Sequence, residues 1–488
     1  MATFYIEAVE NTQIALVMVG SPTIGTVKYG VNDSTCPNTY TVTTESTPIS
    51  LTAGQKCYWT ITSTTTAFSS SNYLKFTSTA KINVGGNMSD LIGGETQVPR
   101  NFCFYGLFYN CTNLVSASNL VLVNNINSKT SCYNTMFRGC ASLSVAPELP
   151  ATTLAVSCYR GMFQDCTSLT TAPALPATTL GNASSCYYSM FQGCTSLTTP
   201  PELPATTLVI SCYSTMFRDC TSLTTAPELP ATTLKNYCYE YMFQGCTSLT
   251  TPPELPATTL ANYCYQYMFS SCMSLTIAPE LPATTLVSYC YNFMFQDCTS
   301  LTTAPALPAT TLNDYCYRAM FRGCASLTTV PELPATTLAS NCYYYMFYDC
   351  SSIKLSETQT APYSIPYRIP NEGTGTEGTG SLDNMFYNTG GTFTGTPTIN
   401  KTYYLAPPSS PIFITYKGQE LANFESGSKT LKCGGKYMEG DVIIAREIGA
   451  NDVVVLYDSN AILTFQNGTK TLKCAGKCMA TDVTIEVV

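Results

Sequence analysis

Cysteine supplies the most regular reactive chemistry in this sequence. Of 25 cysteines, most fall in ten pairs whose members lie eight residues apart, from Cys103 with Cys111 and Cys132 with Cys140 to Cys342 with Cys350. Paired thiols could form disulfides, hold a metal or supply nucleophiles. The chain has no histidine, which removes Cys-His and Ser-His-Asp nucleophile pairs and most catalytic zinc sites. No C-x-x-C spacing occurs, so metal binding is the weakest of these readings.

A second set of candidates is aromatic. Tyr237, Tyr263, Tyr289 and Tyr315 each precede a cysteine, and the slot four positions on holds Tyr241, Tyr267, Phe293, Ala319 and Tyr345. Residues four apart share a face if the segment is helical. Two adjacent columns of rings would then suit carbohydrate, whose CH face packs on a ring while phenol hydroxyls bond its edge. The alternative is that the rings stack on one another or contact another subunit. The tyrosine after the first cysteine, as in Tyr133, Tyr159 and Tyr187, reads as structural. Glu148, Glu202, Glu228, Glu254, Glu280 and Glu332 form a further row, interrupted by Ala174 and Ala306. Such a row could attract Ca2+, the alternative being ordinary solvated carboxylates. It lacks the two unlike acids of a glycosidase, and no P-loop, G-x-G-x-x-G or G-x-S-x-G element has a fitting context. The reading is a non-enzyme without cofactors or bound metal.

The element that must position these residues is a repeat of 26 residues, reading roughly CYxxMFxGCTSLTTAPELPATTL. Its first cysteine advances in steps of 29, 26 and 28 and then of 26 six times. Such a period signals a solenoid, in which successive coils place like residues on like. Met136-Phe137 and their equivalents, with Leu143, Leu149 and Leu154, would form a continuous core. The residue before the second cysteine is Gly, Asp, Asn or Ser throughout. That suggests a short helical turn closed by a left-handed C-cap. SLTTAPEL and ATTL read as extended pieces. Stacking would line the cysteines up as two columns about 5 Å apart along the stack. Reduced thiols buried as small hydrophobes are the favoured reading, with cross-coil disulfides as the alternative.

The units CYQYMFSSCMSLTIAPELPATTL and CYNFMFQDCTSLTTAPALPATTL resemble the BspA-type leucine-rich repeats of bacterial surface proteins. The resemblance spans about residues 98–354, with a weaker further unit at Met385-Phe386-Tyr387 where Thr389 replaces the second cysteine. It implies a leucine-rich-repeat solenoid of about ten coils and a binding rather than catalytic role.

The fold class expected is therefore mainly β with short helical turns. Residues 1–97, with runs such as FYIEAV and CYWTITS between Asn-, Ser- and Gly-rich turns, read as an all-β, sandwich-like domain that caps or attaches the solenoid. Residues 355–400 read as an irregular cap and linker. Residues 401–488 carry a second repeat offset by 41, matching Tyr416 with Tyr457, Phe424 with Phe465 and Asp441 with Asp482, and suggesting two small β modules. Their run KTLKCxGKxMxxDV is similar to C-terminal modules of tailed-phage structural proteins. Cys433, Cys474 and Cys478 are expected to be buried. Lys429, Lys432, Lys436, Lys470, Lys473 and Lys477 form a solvated face or contact anionic sugars.

The whole chain has 488 residues, 45% hydrophobic and only 11% charged, with 23 basic against 31 acidic residues. A net charge of −8 argues against nucleic acid as a partner. The start, MATFYIEAVENTQ, does not read as a signal peptide, and no run is apolar for long enough to span a membrane. These features point to a structural or adhesion protein of a tailed-phage virion, a fibre or decoration component. Its partners would be other virion proteins and a host cell-surface glycan or protein, with self-association as a further expectation. The alternative is a bacterial cell-surface adhesin.

Overall fold

The computed structural model describes residues 1–62, 68–126 and 128–407, and beyond these only the backbone of eight strands between 412 and 487. Cys433, Cys474, Cys478, Lys432, Lys436, Lys473 and Lys477 lie outside the described residues, as do the side chains of Lys429 and Lys470. The chain divides into two compact units, Met1–Ile353 with Arg368–Lys401, and Lys354–Tyr367 with Thr402–Val488.

Backbone hydrogen bonding dictates the shape of each coil in the first unit. Alternate residues use their N–H groups in two ways. Those of Tyr237, Tyr239, Tyr241, Phe243 and Gly245 donate to carbonyls of the next coil, at Asn262, Cys264, Gln266, Met268 and Ser270. Those of Glu240, Met242, Gln244 and Cys246 close back on the carbonyl three residues earlier. The chain can do this because every fourth residue takes a left-handed backbone, with φ of 60° at Tyr237, 54° at Tyr241 and 73° at Gly245. The result is a ribbon of overlapping β-turns.

This corrects the expectation of a short helical turn closed by a cap. The left-handed residue recurs three times per segment, so a right-handed helix never starts. The ribbon's period is four, with two side chains in and two out. Cys238, Tyr239, Met242, Phe243 and Cys246 point inward, at 0–1% exposure, while the pairs between them face out. Tyr237 and Tyr241 share a face for this reason rather than through helical geometry.

Coils stack in register. Phe243 lies 5.7 Å from Phe269 between ring centroids, and the phenylalanine series from Phe76 through Phe108 and Phe137 to Phe347 and Phe386 continues at 5.4–5.8 Å. A parallel tyrosine series, from Tyr133 to Tyr343, repeats at 5.6–6.1 Å. Parallel bridges link the extended pieces, as Thr225 with Thr251 and Thr233 with Thr259. From Phe108 to Phe321 each phenylalanine carbonyl of the series accepts twice, from its own coil and from a thiol of the next: Cys246 Sγ donates to Phe217 O at 3.1 Å and Cys272 Sγ to Phe243 O at 3.1 Å.

Nine strands within the first 121 residues form two facing sheets that run into this stack. One contains β1 (Tyr5–Ala8), β3 (Val27–Val31), β4 (Asn38–Tyr40), β6 (Lys56–Ile61), β8 (Ile82–Asn87) and β9 (Leu114–Val121) in the order β4-β3-β6-β1-β8-β9. The other is β5 (Ile49–Leu51), β2 (Thr12–Val19) and β7 (Tyr73–Ser78) in that order. Between them Trp59, fully buried, meets Phe76 edge-on at 5.3 Å. β8 pairs in parallel with β9, and Ala117 in β9 donates on to Val145 of the next coil. On the other side Phe76 in β7 donates to Leu107. Both sheets thus continue as ladders of the stack.

At the far end, Ser381, Leu382, Met385, Phe386 and Thr389 occupy the Cys, Tyr, Met, Phe and Cys slots of one more coil, bonded through Tyr343 N–H to Ser381 O and Phe347 N–H to Met385 O. Residues 395 and 396 then cover it, with Phe386 donating to Gly395 and Asn384 to Thr396 Oγ1.

In the second unit β10 (Leu355–Ser356), β12 (Thr402–Leu405) and β11 (Ile365–Arg368) form a small sheet. The tandem segment gives β13 (Ile412–Tyr416), β14 (Gln419–Phe424), β15 (Gly427–Leu431) and β16 (Val442–Arg446), then β17 (Val453–Tyr457), β18 (Asn460–Phe465), β19 (Gly468–Leu472) and β20 (Val483–Val487). They pair as β14-β13-β20-β19 and β15-β16-β17-β18. Each sheet takes two strands from each copy of the repeat, so the copies interlock.

Candidate binding face

Among the described residues the thiols offer no reactive site. All 22 cysteines among the described residues are free and buried. Burial pushes Cys212, Cys264 and Cys316 up to about 12 and Cys238 and Cys290 well above the ordinary thiol range. Thiols held protonated in an apolar column are poor nucleophiles. Among the described residues no three carboxylates or thiols converge to hold a metal ion, and Glu148, Glu202, Glu228, Glu254, Glu280 and Glu332 are all exposed. No helix among the described residues is long and apolar enough to cross a membrane.

The outward slots of the turn ribbon are where the coils differ. The slot before the first cysteine holds Phe102, then Ser131, Ser157, Ser185 and Ser211, then Tyr237, Tyr263, Tyr289 and Tyr315, then Asn341. All ten have φ between 53° and 61°. Serine and asparagine tolerate that backbone better than tyrosine, for which it costs about 1–2 kcal/mol. Stacking offsets the cost. Tyr237, Tyr263, Tyr289 and Tyr315 lie face to face at 4.7 Å, and Tyr241, Tyr267 and Phe293 at 4.6–4.7 Å, closer than the buried series. Each interior ring has both faces covered by its neighbours. What the columns offer outward is therefore a row of ring edges and hydroxyls, not a platform for the face of a sugar. Tyr345 stands apart, since Ala319 interrupts its column, and it packs against Tyr344 at 4.0 Å and Tyr348 at 4.9 Å.

Arginines mark both ends of the columns. Arg218 approaches the ring of Tyr241 at 5.7 Å and pairs with Asp219 at 3.5 Å. At the other end Arg318 fills the gap left by Ala319. Its guanidinium lies 5.2 Å from the ring of Phe293, 5.6 Å from Tyr315 and 5.5 Å from Tyr344. Glu240 flanks the first rings and accepts from Ser214 Oγ at 3.3 Å. Burial pushes its carboxyl up to about 7, against the lowering effect of that hydrogen bond. Burial also raises Tyr241 to about 12 and raises Tyr267, which Arg318 and Arg322 partly counteract.

Sequence spacing located the rings but missed Arg218, Glu240, Arg318, Arg322 and Tyr344. They occupy outward slots two and six residues after the first cysteine, next to the columns. The readable signal was Ala319, a missing ring in an otherwise aromatic slot, directly preceded by an arginine.

Residues 105–239, 163–302 and 213–354 match the family described as BspA type leucine rich repeat region (6 copies). Together these matches cover more than half of the 488 residues. The chain belongs to the BspA-type leucine-rich-repeat family. Its coils give that family's repeat a concrete form here, a turn ribbon and two extended pieces closing around Leu, Met and Phe. No curated protein matches the sequence significantly. BspA-type repeats are consistent with a surface-associated, adhesin-type role, and the outward residues of the turn ribbon change along the length of this BspA-type stack.

Proposed function

We propose that this protein is a non-enzymatic recognition protein of a biological surface, whose stacked coils hold the outward side chains of the turn ribbon in fixed columns against a glycan or protein of a target cell. One observation carries the reading. Among nearly identical coils the inward slots stay Cys, Tyr, Met, Phe and Cys, while the outward slots vary, from Ser131 and Thr135 in an early coil to Tyr263 and Tyr267 in a later one. Packing sets the first group; it leaves the second to interaction with something else.

The test is binding of the labelled full chain to intact bacterial and animal cells. Tyr263→Ala with Tyr289→Ala is expected to weaken binding at least tenfold. It removes stacking worth about 0.5–1.5 kcal/mol per pair, a modest part of the stability of a long stack. Unchanged binding with a large fall in melting temperature would assign these rings to packing alone.

A second reading, a structural protein of a tailed-phage virion, is favoured by the similarity of KTLKCxGKxMxxDV to phage C-terminal modules. There the same face would meet a host-cell glycan or protein, and the second unit would contact other virion proteins. Mass spectrometry of purified phage particles against bacterial envelope fractions separates the two readings.

A further inference from the structure

The two arginines that bracket the aromatic columns differ in one respect. Arg218 has Asp219 as an ion-pair partner, whereas the Arg318 guanidinium makes no ion pair or hydrogen bond among the described residues; the Nε of both arginines is buried without a hydrogen-bond acceptor. Directly beneath it in the stack Asn292, 2% exposed, has its Oδ1 buried and unpartnered. Arg322 lies four residues on, one period of the ribbon, so it shares Arg318's face. It stacks at 5.2 Å on Tyr348 and also has no carboxylate partner among the described residues. Three nearby acids accept hydrogen bonds from other groups: Asp314 Oδ1 from Ser340 N–H at 3.2 Å, Asp297 Oδ2 from Gln296 at 3.0 Å, and Asp349 Oδ1 from Asn388 at 2.7 Å.

In a chain of net charge −8, two adjacent unpaired guanidinium groups framed by Phe293, Tyr315, Tyr344 and Tyr348 form a site for an anion. A guanidinium placed over rings can turn its two Nη groups to a carboxylate, and that fork geometry favours two-point contact. The row of tyrosine edges from Tyr237 to Tyr315 that runs up to it, one hydroxyl per coil, defines what carries the anion.

We infer that Arg318 and Arg322 bind the carboxylate of an acidic polysaccharide, with the hydroxyl edges of Tyr263, Tyr289 and Tyr315 receiving the sugars that precede it. A peptide fits less well. An extended peptide gains affinity from unpaired backbone groups at a sheet edge, and here the N–H groups of Tyr289, Phe293, Tyr315 and Ala319 all donate to the next coil. The inference rests on the recognition role proposed above and assigns that role a ligand class.

Full-length chain titrated with polygalacturonate, neutral dextran and poly-glutamate tests it. Polygalacturonate is expected to bind, more weakly as salt rises, and dextran is not. Arg318→Gln with Arg322→Gln should weaken polygalacturonate binding tenfold or more. Arg160→Gln, an arginine stacked on Tyr188 at 4.3 Å on the same ribbon, should change it less than twofold. Arg318→Lys, which keeps the charge and loses the fork, should give an intermediate loss, and it decides the matter if the double variant melts early. Failure to bind polygalacturonate, equal binding by the double variant, or equally tight binding of poly-glutamate would each overturn the assignment. Cell binding that still depends on Tyr263 and Tyr289 would then leave the recognition role standing without it.

Discussion

At the scale of single residues, Glu240 makes the stability of the turn ribbon sensitive to pH. Its carboxyl titrates at about 7 in the fold against 4.5 in the free side chain, mainly because burial disfavours the charge. The folded state therefore holds a proton between pH 4.5 and 7 that the unfolded chain has released. The stability tied to this group is complete below pH 4.5 and is lost as pH rises to about 7. Glu240→Gln should accordingly stabilise the protein at pH 8, by about 1 kcal/mol after allowing for the solvent that reaches the carboxyl, and make no difference near pH 4. Melting curves of both proteins from pH 4 to 8 check this. A constant offset across the range would mean that the carboxyl is fully solvated in the fold. Nothing in the sequence marks Glu240 among the other glutamates. Its environment is created by Ser214 in one coil and by Tyr237 and Tyr241 in its own, a coincidence visible only once coils are stacked.

At the scale of the element, the turn ribbon explains which features were legible. The period of 26, the inward series and the thiol columns could be read because stacking in register follows from repetition alone. The ribbon itself was misread because C-Y-x-x-M-F-x-G has a spacing close to that of a helix, and one left-handed slot looks like a cap. Only the recurrence of Ser, Gly and Asp at three slots four apart, as at Ser157, Gly161 and Asp165, distinguishes the two, and the tyrosine-bearing coils hide it. The last of these slots shows how neighbouring coils fit. It holds Gly139, Asp165, Gly193, Asp219, Gly245, Ser271, Asp297, Gly323 and Asp349. A Cβ on Gly193, Gly245 or Gly323 would overlap the carboxylate of Asp165, Asp219 or Asp297 in the coil before, and one on Gly139 would overlap the Asn110 amide. Gly245→Asp therefore places two carboxylates in one space and should cost about 2 kcal/mol. Asp219→Gly added to it should restore more than half of that loss, since it moves the carboxylate from one coil to the next. A double-mutant cycle by thermal or urea melting measures the coupling. Additive losses would show that the glycines serve only their left-handed backbone.

At the scale of the whole stack, stability is a sum over coils and their contacts, and the two ends are closed differently from the middle. The facing sheets of the first 121 residues supply Phe76 beneath Phe108, and residues 395 and 396 cover the coil that holds Phe386. Every interior coil donates to the next through the same five N–H groups, so one coil can be removed without leaving a polar group unpaired. Deleting residues 264–289, one full period, joins Tyr263 to Cys290 and lets the ladder close one step higher. The shortened protein should fold, with a melting temperature within about 5 °C of the parent. Deleting only residues 264–276, half a period, sets extended pieces against turn ribbons and should give no folded protein. Circular dichroism and thermal melting of the two deletions check this, and equal damage by both would contradict the in-register stack. The full-period deletion also separates the two binding arguments. It takes out Tyr265, Tyr267 and Tyr289 while keeping Phe293, Tyr315, Arg318 and Arg322 in adjacent coils, so it shortens the tyrosine row by one step and leaves the arginine pair intact. Binding to polygalacturonate should then fall only by the contribution of the missing hydroxyl edges, much less than with the arginine double variant, because the charge that fixes the ligand has kept its neighbours.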